Sequence, residues 1–317
     1  MSNLGKYRRH LPQCNGKLFL TDGGIETTLI FLEGLELPHF AAFDLLRERT
    51  GWAALRKYYE RYVAIAAQNR VGFVLESATW RASSDWGQKL GYSKEALAQA
   101  NHDSITLMVE LRNKYESAAT PMVISGCVGP RGDGYDPGAV MSVAEAQDYH
   151  AAQVAVFADS AADMISAITM TNVNEAIGLT RAAMAANMPV AISFTVETDG
   201  KLPTGQSLQD AIEAVDKATA YAPAYYMINC AHPTHFEGVL ENGGAWRERI
   251  GGVRANASAK SHAELNDSTE LDAGNPQELG AQYRALRKLL PNLTVMGGCC
   301  GTDHRHVAEI CTACLAA

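Results

Sequence analysis

Eight short apolar runs recur along the chain, at 18–22, 72–79, 122–126, 164–169, 190–195, 225–230, 250–256 and 293–298, and each closes on small or polar residues. Runs of this length bounded by turn-forming residues read as buried strands. Between them lie longer stretches with helical features, at 52–69, 93–115, 143–162, 174–186, 207–220 and 276–290. Strands alternating with helices predict parallel pairing through right-handed crossovers. Eight such units are the count of a single α/β domain of the (β/α)8 barrel type, spanning 1–317 with residues 1–17 as an N-terminal arm. The competing architecture, a doubly wound sheet, usually has fewer strands and a glycine-rich phosphate loop after the first. Here the first run ends Thr21-Asp22-Gly23-Gly24-Ile25-Glu26, with neither G-x-G-x-x-G nor a Walker loop. The polar segment 256–278 reads as a long loop over the barrel mouth.

In such a barrel the reactive residues lie where the strands end, on the C-terminal face. The strand ends carry Asp22, Glu76 with Thr79, the 126–129 segment, Thr169, Thr195, Cys230, Asn256 and the pair Cys299/Cys300. Three thiols thus arrive on one rim from two strands, in Asn229-Cys230 and in Gly297-Gly298-Cys299-Cys300-Gly301-Thr302. Adjacent cysteines in a regular strand point to opposite faces, so the flanking glycines are what let Cys299 and Cys300 turn to one metal ion. Three protein ligands leave a fourth position open, which is the mark of a catalytic rather than a structural zinc site. Zinc held by three thiolates is electron-rich and suits the ionisation of an incoming thiol better than the activation of water. The expected cofactor is therefore Zn2+, and the expected chemistry is thiol alkylation.

Composition narrows the partners. Hydrophobic residues make up 47% and charged residues 20% of the 317, as in a soluble protein with a large core. The net charge of −8, with no basic stripe, argues against nucleic acid, and no run approaches the length of a membrane span. The basic start Lys6-Tyr7-Arg8-Arg9-His10 reads as a solvated terminus, because no apolar segment follows it. Seven cysteines without a secretion signal point to a cytoplasmic protein whose thiols bind metal or stay free. Cys14, Cys311 and Cys314 read as packing residues, while Cys127 lies near the mouth. Trp80, Trp86 and Tyr135 offer aromatic faces to a sulfonium or quaternary ammonium donor. His232, His235, His304 and His306 flank the cysteine motifs and read as supporting or surface residues rather than ligands. Oligomeric state carries no sequence signal.

Asp22-Gly23-Gly24, Val128-Gly129-Pro130, Asn229-Cys230 and the segment from Gly297 to Thr302 resemble the homocysteine S-methyltransferase family, over about residues 18 to 312. That family includes S-methylmethionine-dependent and betaine-dependent enzymes and the homocysteine module of methionine synthases. The resemblance implies a zinc-containing barrel that moves a methyl group to homocysteine, with a small-molecule thiol and a methyl donor as partners. It implies Cys230, Cys299 and Cys300 as the metal ligands. It also places Asp22 near the bound amino acid, as a catalytic and substrate-binding candidate together with Glu76. Thr79, Trp80, Thr169 and Asn256 complete the expected substrate-binding set.

One departure bears on the substrate. After its fourth strand the family commonly places a glutamate before a threonine, where it pairs with the amino group of homocysteine. Here Ser166-Ala167-Ile168-Thr169 puts Ile168 in that place. Glu76 and Glu197 are the acids that could substitute. The expectation is a zinc-dependent transfer from S-methylmethionine or S-adenosylmethionine to homocysteine, giving methionine. The alternatives are the same chemistry on another thiol, demethylation of another onium compound, or a non-catalytic zinc- or thiol-binding protein.

Overall fold

The computed structural model describes residues 5–316. Its eight strands close into a parallel barrel in the order of the sequence: β1 (Phe19–Leu20), β2 (Gly72–Glu76), β3 (Met122–Val128), β4 (Met164–Met170), β5 (Val190–Phe194), β6 (Tyr225–Asn229), β7 (Ile250–Ala255) and β8 (Val295–Gly298). β1 closes the ring by pairing with both β2 and β8. Eight principal helices follow the strands in turn: α1 (Arg49–Asn69), α2 (Lys94–Tyr115), α3 (Val143–Ala158), α4 (Val173–Ala185), α5 (Leu208–Thr219), α6 (Pro233–Glu241), α7 (Pro276–Leu289) and α8 (His304–Leu315). The (β/α)8 expectation is met. Among the described residues no helix is long and apolar enough to cross a membrane.

Alternation along the strands sorts side chains into two cores. Outward residues such as Phe73, Leu75, Ile124, Ile165, Ile192 and Ile228 pack under the helices. Inward residues fill the barrel itself: Phe19, Val74, Val123, Cys127, Met164, Ile168, Met227 and Val295 form one buried cluster. Each fully buried side chain of this size contributes roughly 1.5–3 kcal/mol. Gly126 faces outward on β3 because Phe157 of α3 lies where a side chain would stand.

Several boundaries differ from the expected ones, and three of the differences have a visible cause. β1 is only two residues long, since Thr21 and Asp22 already turn towards the β8 end, where the Gly298 amide donates to the Asp22 carbonyl at 2.9 Å. β2 stops at Glu76 because the hydroxyls of Ser77 and Thr79 turn inward and bond each other at 2.7 Å. α3 stops at Ala158 rather than 162, because the guanidinium of Arg8 caps the carbonyls that follow. It donates to Ala158, Ser160 and Ala162 at 2.9, 2.9 and 2.7 Å.

That last contact corrects the reading of the basic start as a solvated terminus. Tyr7 donates its amide to Asp163 at 2.7 Å and its hydroxyl to Glu116 at 2.6 Å, and Lys6 also pairs with Glu116. Farther along the arm, Gln13 is fully buried and donates to Met164 Sδ in the barrel interior. The arm closes the end of the barrel opposite the cysteines.

Candidate metal and methyl-transfer site

The cysteines reach one point through two turns. Cys230 follows β6 with a left-handed backbone (φ 54°), and its amide donates to the Arg254 carbonyl at 3.1 Å. Asn229 before it bridges to β4: its Oδ1 accepts from the Thr169 amide at 2.9 Å and from the Ser193 hydroxyl at 2.5 Å, and its Nδ2 donates to the Thr169 hydroxyl at 2.8 Å. Thr169 also has positive φ, 66°, a strained conformation for a β-branched residue.

At the other turn, side chains at Gly297 and Gly298 would overlap the hydroxyls of Thr21 and Thr302. Cys299 donates its amide to the Ala255 carbonyl at 2.8 Å, and its own carbonyl accepts from both the amide and the hydroxyl of Thr302. Gly301 then takes φ 79°, and its amide donates to the Thr27 hydroxyl. Asp303 caps α8 immediately afterwards, sharing a capping box with His306. Burial pushes the Asp303 carboxyl up, but the hydrogen bonds to His306 and Arg305 outweigh it and hold the group well below the usual carboxylate range.

The sulfurs of Cys230, Cys299 and Cys300 all lie within 4.8 Å of one another, and they are the only such grouping of potential metal-ligand atoms among the described residues. Cys230 and Cys299 are joined as a disulfide, with Cα atoms 5.3 Å apart. Tetrahedral zinc with sulfur at about 2.3 Å sets neighbouring sulfurs roughly 3.8 Å apart, so this cluster, once reduced, fits the ion by spacing and by donor softness.

A lid covers the cluster. The Tyr135 hydroxyl lies 3.4 Å from Cys300 Sγ, and its ring stacks on His262 with centroids 4.0 Å apart. His262 donates Nε2 to the Cys230 carbonyl at 2.6 Å and faces Glu197 at 3.1 Å through Nδ1. His262 opens a short helix, His262–Asn266, in the 256–278 loop, so that loop does lie over the mouth. Glu197 therefore belongs to the lid. The four histidines beside the cysteine motifs hold backbone or stand apart. For example, His232 caps α6, and His306 donates to the Ala273 carbonyl at 2.7 Å.

Beneath the cysteines the barrel holds an ionic floor. Asp22, 2% exposed, accepts from Arg254 Nη2 at 2.7 Å and from the Tyr58 hydroxyl at 2.9 Å. Burial pushes its carboxyl up, and Arg254 and Tyr58 pull it back only in part. Arg254 also donates to the Gly298 and Gly23 carbonyls. Glu26, on the turn after Gly24, is pushed up to about 7 by burial, with Asp22 adding to the shift. Glu76 accepts from the Ser166 hydroxyl at 2.8 Å, and burial pushes its carboxyl up against the pull of Arg254.

The remaining expected substrate residues divide. Thr169 is engaged by Asn229, and the Thr79 hydroxyl donates to the Cys127 carbonyl at 2.7 Å. Trp80 donates its indole N–H to the Ile168 carbonyl. Arg81 lies between the rings of Trp80 and Trp86, 4.3 and 3.7 Å from their centroids, and Lys89 covers Trp86 at 3.9 Å. Those aromatic faces are thus already occupied by the protein's own cations. Asn256 is buried with its Oδ1 unpartnered. Arg254, Glu26 and His262 were not singled out from sequence. The signal for Arg254 was an arginine inside an apolar strand run, and for Glu26 it was its place two residues after Gly24 at the rim.

A closed parallel barrel with a three-thiol cluster on its C-terminal rim defines a class of group-transfer enzymes. Residues 19–314 match the homocysteine S-methyltransferase family, and the chain belongs to that family of methyltransferases. It is 25% identical over 262 residues to a selenocysteine Se-methyltransferase of Brassica oleracea var. italica, covering 75% of this chain and 73% of that protein. The fold is similar to that of the homocysteine methyltransferase MmuM from Escherichia coli. The oxidized form of that enzyme gives a TM-score of 0.73 at 20% identity, over 96% of this chain and 99% of that one. Its metallated form gives 0.71 at 18% identity, over 93% and 96%.

Proposed function

We propose that this protein is a zinc-dependent S-methyltransferase that transfers a methyl group from a sulfonium donor, S-methylmethionine or S-adenosylmethionine, to homocysteine, giving methionine. The observation that carries the reading is the convergence of three cysteine sulfurs at one point of a barrel rim. Cys230, Cys299 and Cys300 are the residues to hold the ion. Bound there, zinc supplies Lewis acidity that lowers the pKa of an incoming thiol, so that the thiol proton leaves to water before transfer.

In the transfer itself a lone pair on the acceptor sulfur forms the new S–C bond. The donor C–S bond breaks, and its electron pair returns to the donor sulfur, neutralising the sulfonium. The chain's own part is alignment and field. The carboxyl groups of Asp22, Glu26 and Glu76 share the mouth with the guanidinium groups of Arg254 and Arg81, and the approach of a cationic donor favours the ionised form of carboxyls that burial otherwise pushes up. Tyr135 and His262 cover the cysteines and limit water at the reacting sulfur. The seven cysteines, three of them gathered at the rim as candidate metal ligands, support a cytoplasmic setting, where thiols stay reduced.

The test is metal analysis of the reduced protein together with mass-spectrometric detection of methionine from homocysteine and each donor. The expected result is about one zinc per chain, lost together with methionine formation in Cys230→Ala, Cys299→Ala and Cys300→Ala. Unchanged zinc in all three variants refutes the reading.

A further inference from the structure

Two loops meet over the cysteines, and they are held in different ways. The one after β7 is tied to the barrel along its length. The amides of Asn256 and Ala257 donate to the Ala231 and Cys300 carbonyls at 3.1 and 3.0 Å. His262 Nε2 donates to the Cys230 carbonyl at 2.6 Å, and His306 Nε2 to the Ala273 carbonyl at 2.7 Å. These partners belong to the turn after β6, the turn after β8 and α8, so this loop is a fixed part of the rim.

The loop after β3 is pinned at its two ends. The Arg131 amide donates to Glu175 at 2.7 Å, and the Met141 carbonyl accepts from Asn174 at 3.1 Å. Asn174 and Glu175 are neighbours in the first turn of α4, so both ends of the segment 132–140 stand on one support. Arg81 holds its root, donating to the Gly132 carbonyl at 2.9 Å and facing Asp133 at 3.6 Å. Beyond the root the chain bonds to itself. Asp133 Oδ1 accepts from the Tyr135 and Asp136 amides, and Asp136 Oδ1 from the Gly138 amide. Among the described residues no backbone group of 133–140 bonds outside the segment.

The tip nevertheless crosses the whole mouth. A side chain at Gly134 would stand 3.0 Å from the Trp80 ring and 3.2 Å from the Thr169 methyl. The next residue, Tyr135, already lies on His262 with its hydroxyl 3.4 Å from Cys300 Sγ. One aromatic stack and one hydrogen bond are thus what seat the tip on the cysteine side. A stack of this kind shifts an equilibrium by only about 2- to 10-fold. Segments with so few outside contacts open locally long before the fold does. Methyl transfer has to bring two molecules to the sulfurs that this ring covers.

Resting on the two-substrate reading above, we propose that residues 132–140 form a hinged flap that lifts to admit acceptor and donor and closes over them, with the Tyr135–His262 stack as its latch. The loop after β7 is the frame against which the flap shuts, and it stays in place.

The experiment uses the full chain in its disulfide form, where Cys300 is the free thiol of the cluster. Alkylation of Cys300 by iodoacetamide is timed by peptide mass spectrometry. Cys311, fully buried on α8, reports global opening in the same digest. Tyr135→Ala is expected to speed the Cys300 reaction by about 10-fold. That change also trims the cover, so Asp133→Ala decides: it keeps the ring but removes the acceptor that shapes the turn of the flap. An acceleration of about 3- to 10-fold is expected there, with Cys311 unchanged. Ser258→Ala loosens the other loop by deleting a hydroxyl that bonds Asp272 and Lys260, and it is expected to leave the Cys300 rate as in wild type.

A wild-type rate in Asp133→Ala overturns the proposal. Equal acceleration in Ser258→Ala overturns it too, by making the other loop the one that opens. Cys300 and Cys311 accelerating together do the same, since the opening is then global. Methylation of no thiol overturns the methyl-transfer reading instead, and the alkylation rates still decide the flap.

Discussion

The carboxamide of Asn229 holds Thr169 at both ends, accepting from its amide at 2.9 Å and donating to its hydroxyl at 2.8 Å. Thr169 and Cys230 are both left-handed, and Asn229 adjoins one and bonds the other. The residue before the first metal-ligand candidate therefore locks the turn that ends a strand two places away in the barrel. Asn229→Ala removes these bonds inside a buried site and is expected to destabilise the fold by about 2–4 kcal/mol. Urea unfolding measures this, and zinc content should fall in the same variant because the Cys230 turn loosens.

Arg254 and Asp22 form an ion pair at 2.7 Å inside the barrel mouth, with side chains 8% and 3% exposed. Removing one partner leaves a buried charge without compensation. Arg254→Met is expected to cost about 3–5 kcal/mol, while the double variant Asp22→Asn/Arg254→Met recovers much of the loss. Thermal denaturation of the two single variants and the double variant completes the cycle. Equal stability of Arg254→Met and wild type contradicts the pairing.

Glu26 gives a pH signature. Its carboxyl is raised from 4.5 to about 7 in the folded chain, so between these values the folded state holds more protons than the unfolded one. Its contribution to stability is full below the unfolded value and is lost as pH rises through about 7. The loss is at most about 3 kcal/mol. In metal-free, reduced protein, Glu26→Gln should be the more stable by up to that amount above neutrality, and the difference should shrink towards the acid side. Urea midpoints across the range would show a parallel pair of curves if Glu26 titrated normally.

The Cys230–Cys299 disulfide and a three-thiolate metal site exclude each other, since a sulfur in the bond is not a thiolate. Protein prepared without reductant is expected to take up little zinc, and treatment with a phosphine reductant to restore uptake to about one ion per chain. Thiol titration beside metal analysis follows the change, and full zinc uptake by the disulfide form would contradict it.

The barrel could be read from the chain because each buried strand shows as an apolar run whatever its partners, and eight of them leave few architectures. The thiol cluster could be read because glycines and cysteines at strand ends have few other uses. Arg254 escaped notice because its inward direction follows only from the register of β7, and its partner Asp22 is more than two hundred residues away. Tyr135 was singled out for its aromatic face, but its stacking on His262 depends on how two loops fold back over the rim. The Arg8 contacts were hidden for a plainer reason: backbone carbonyl acceptors carry no residue-specific signal, so a capping arginine looks like any solvated one.

The pairing of β1 with β8 sets an order of assembly. Phe19 meets Val295, and the thiols of Cys299 and Cys300 arrive in the turn directly after that closing strand. Such a long-range pairing has to wait for the far end of the barrel. A nascent chain that has released seven strands owns one of the cluster's three thiols and an open seam. Ring closure and the three-sulfur cluster come into being in the same event, so the capacity to hold metal reports that the barrel is shut.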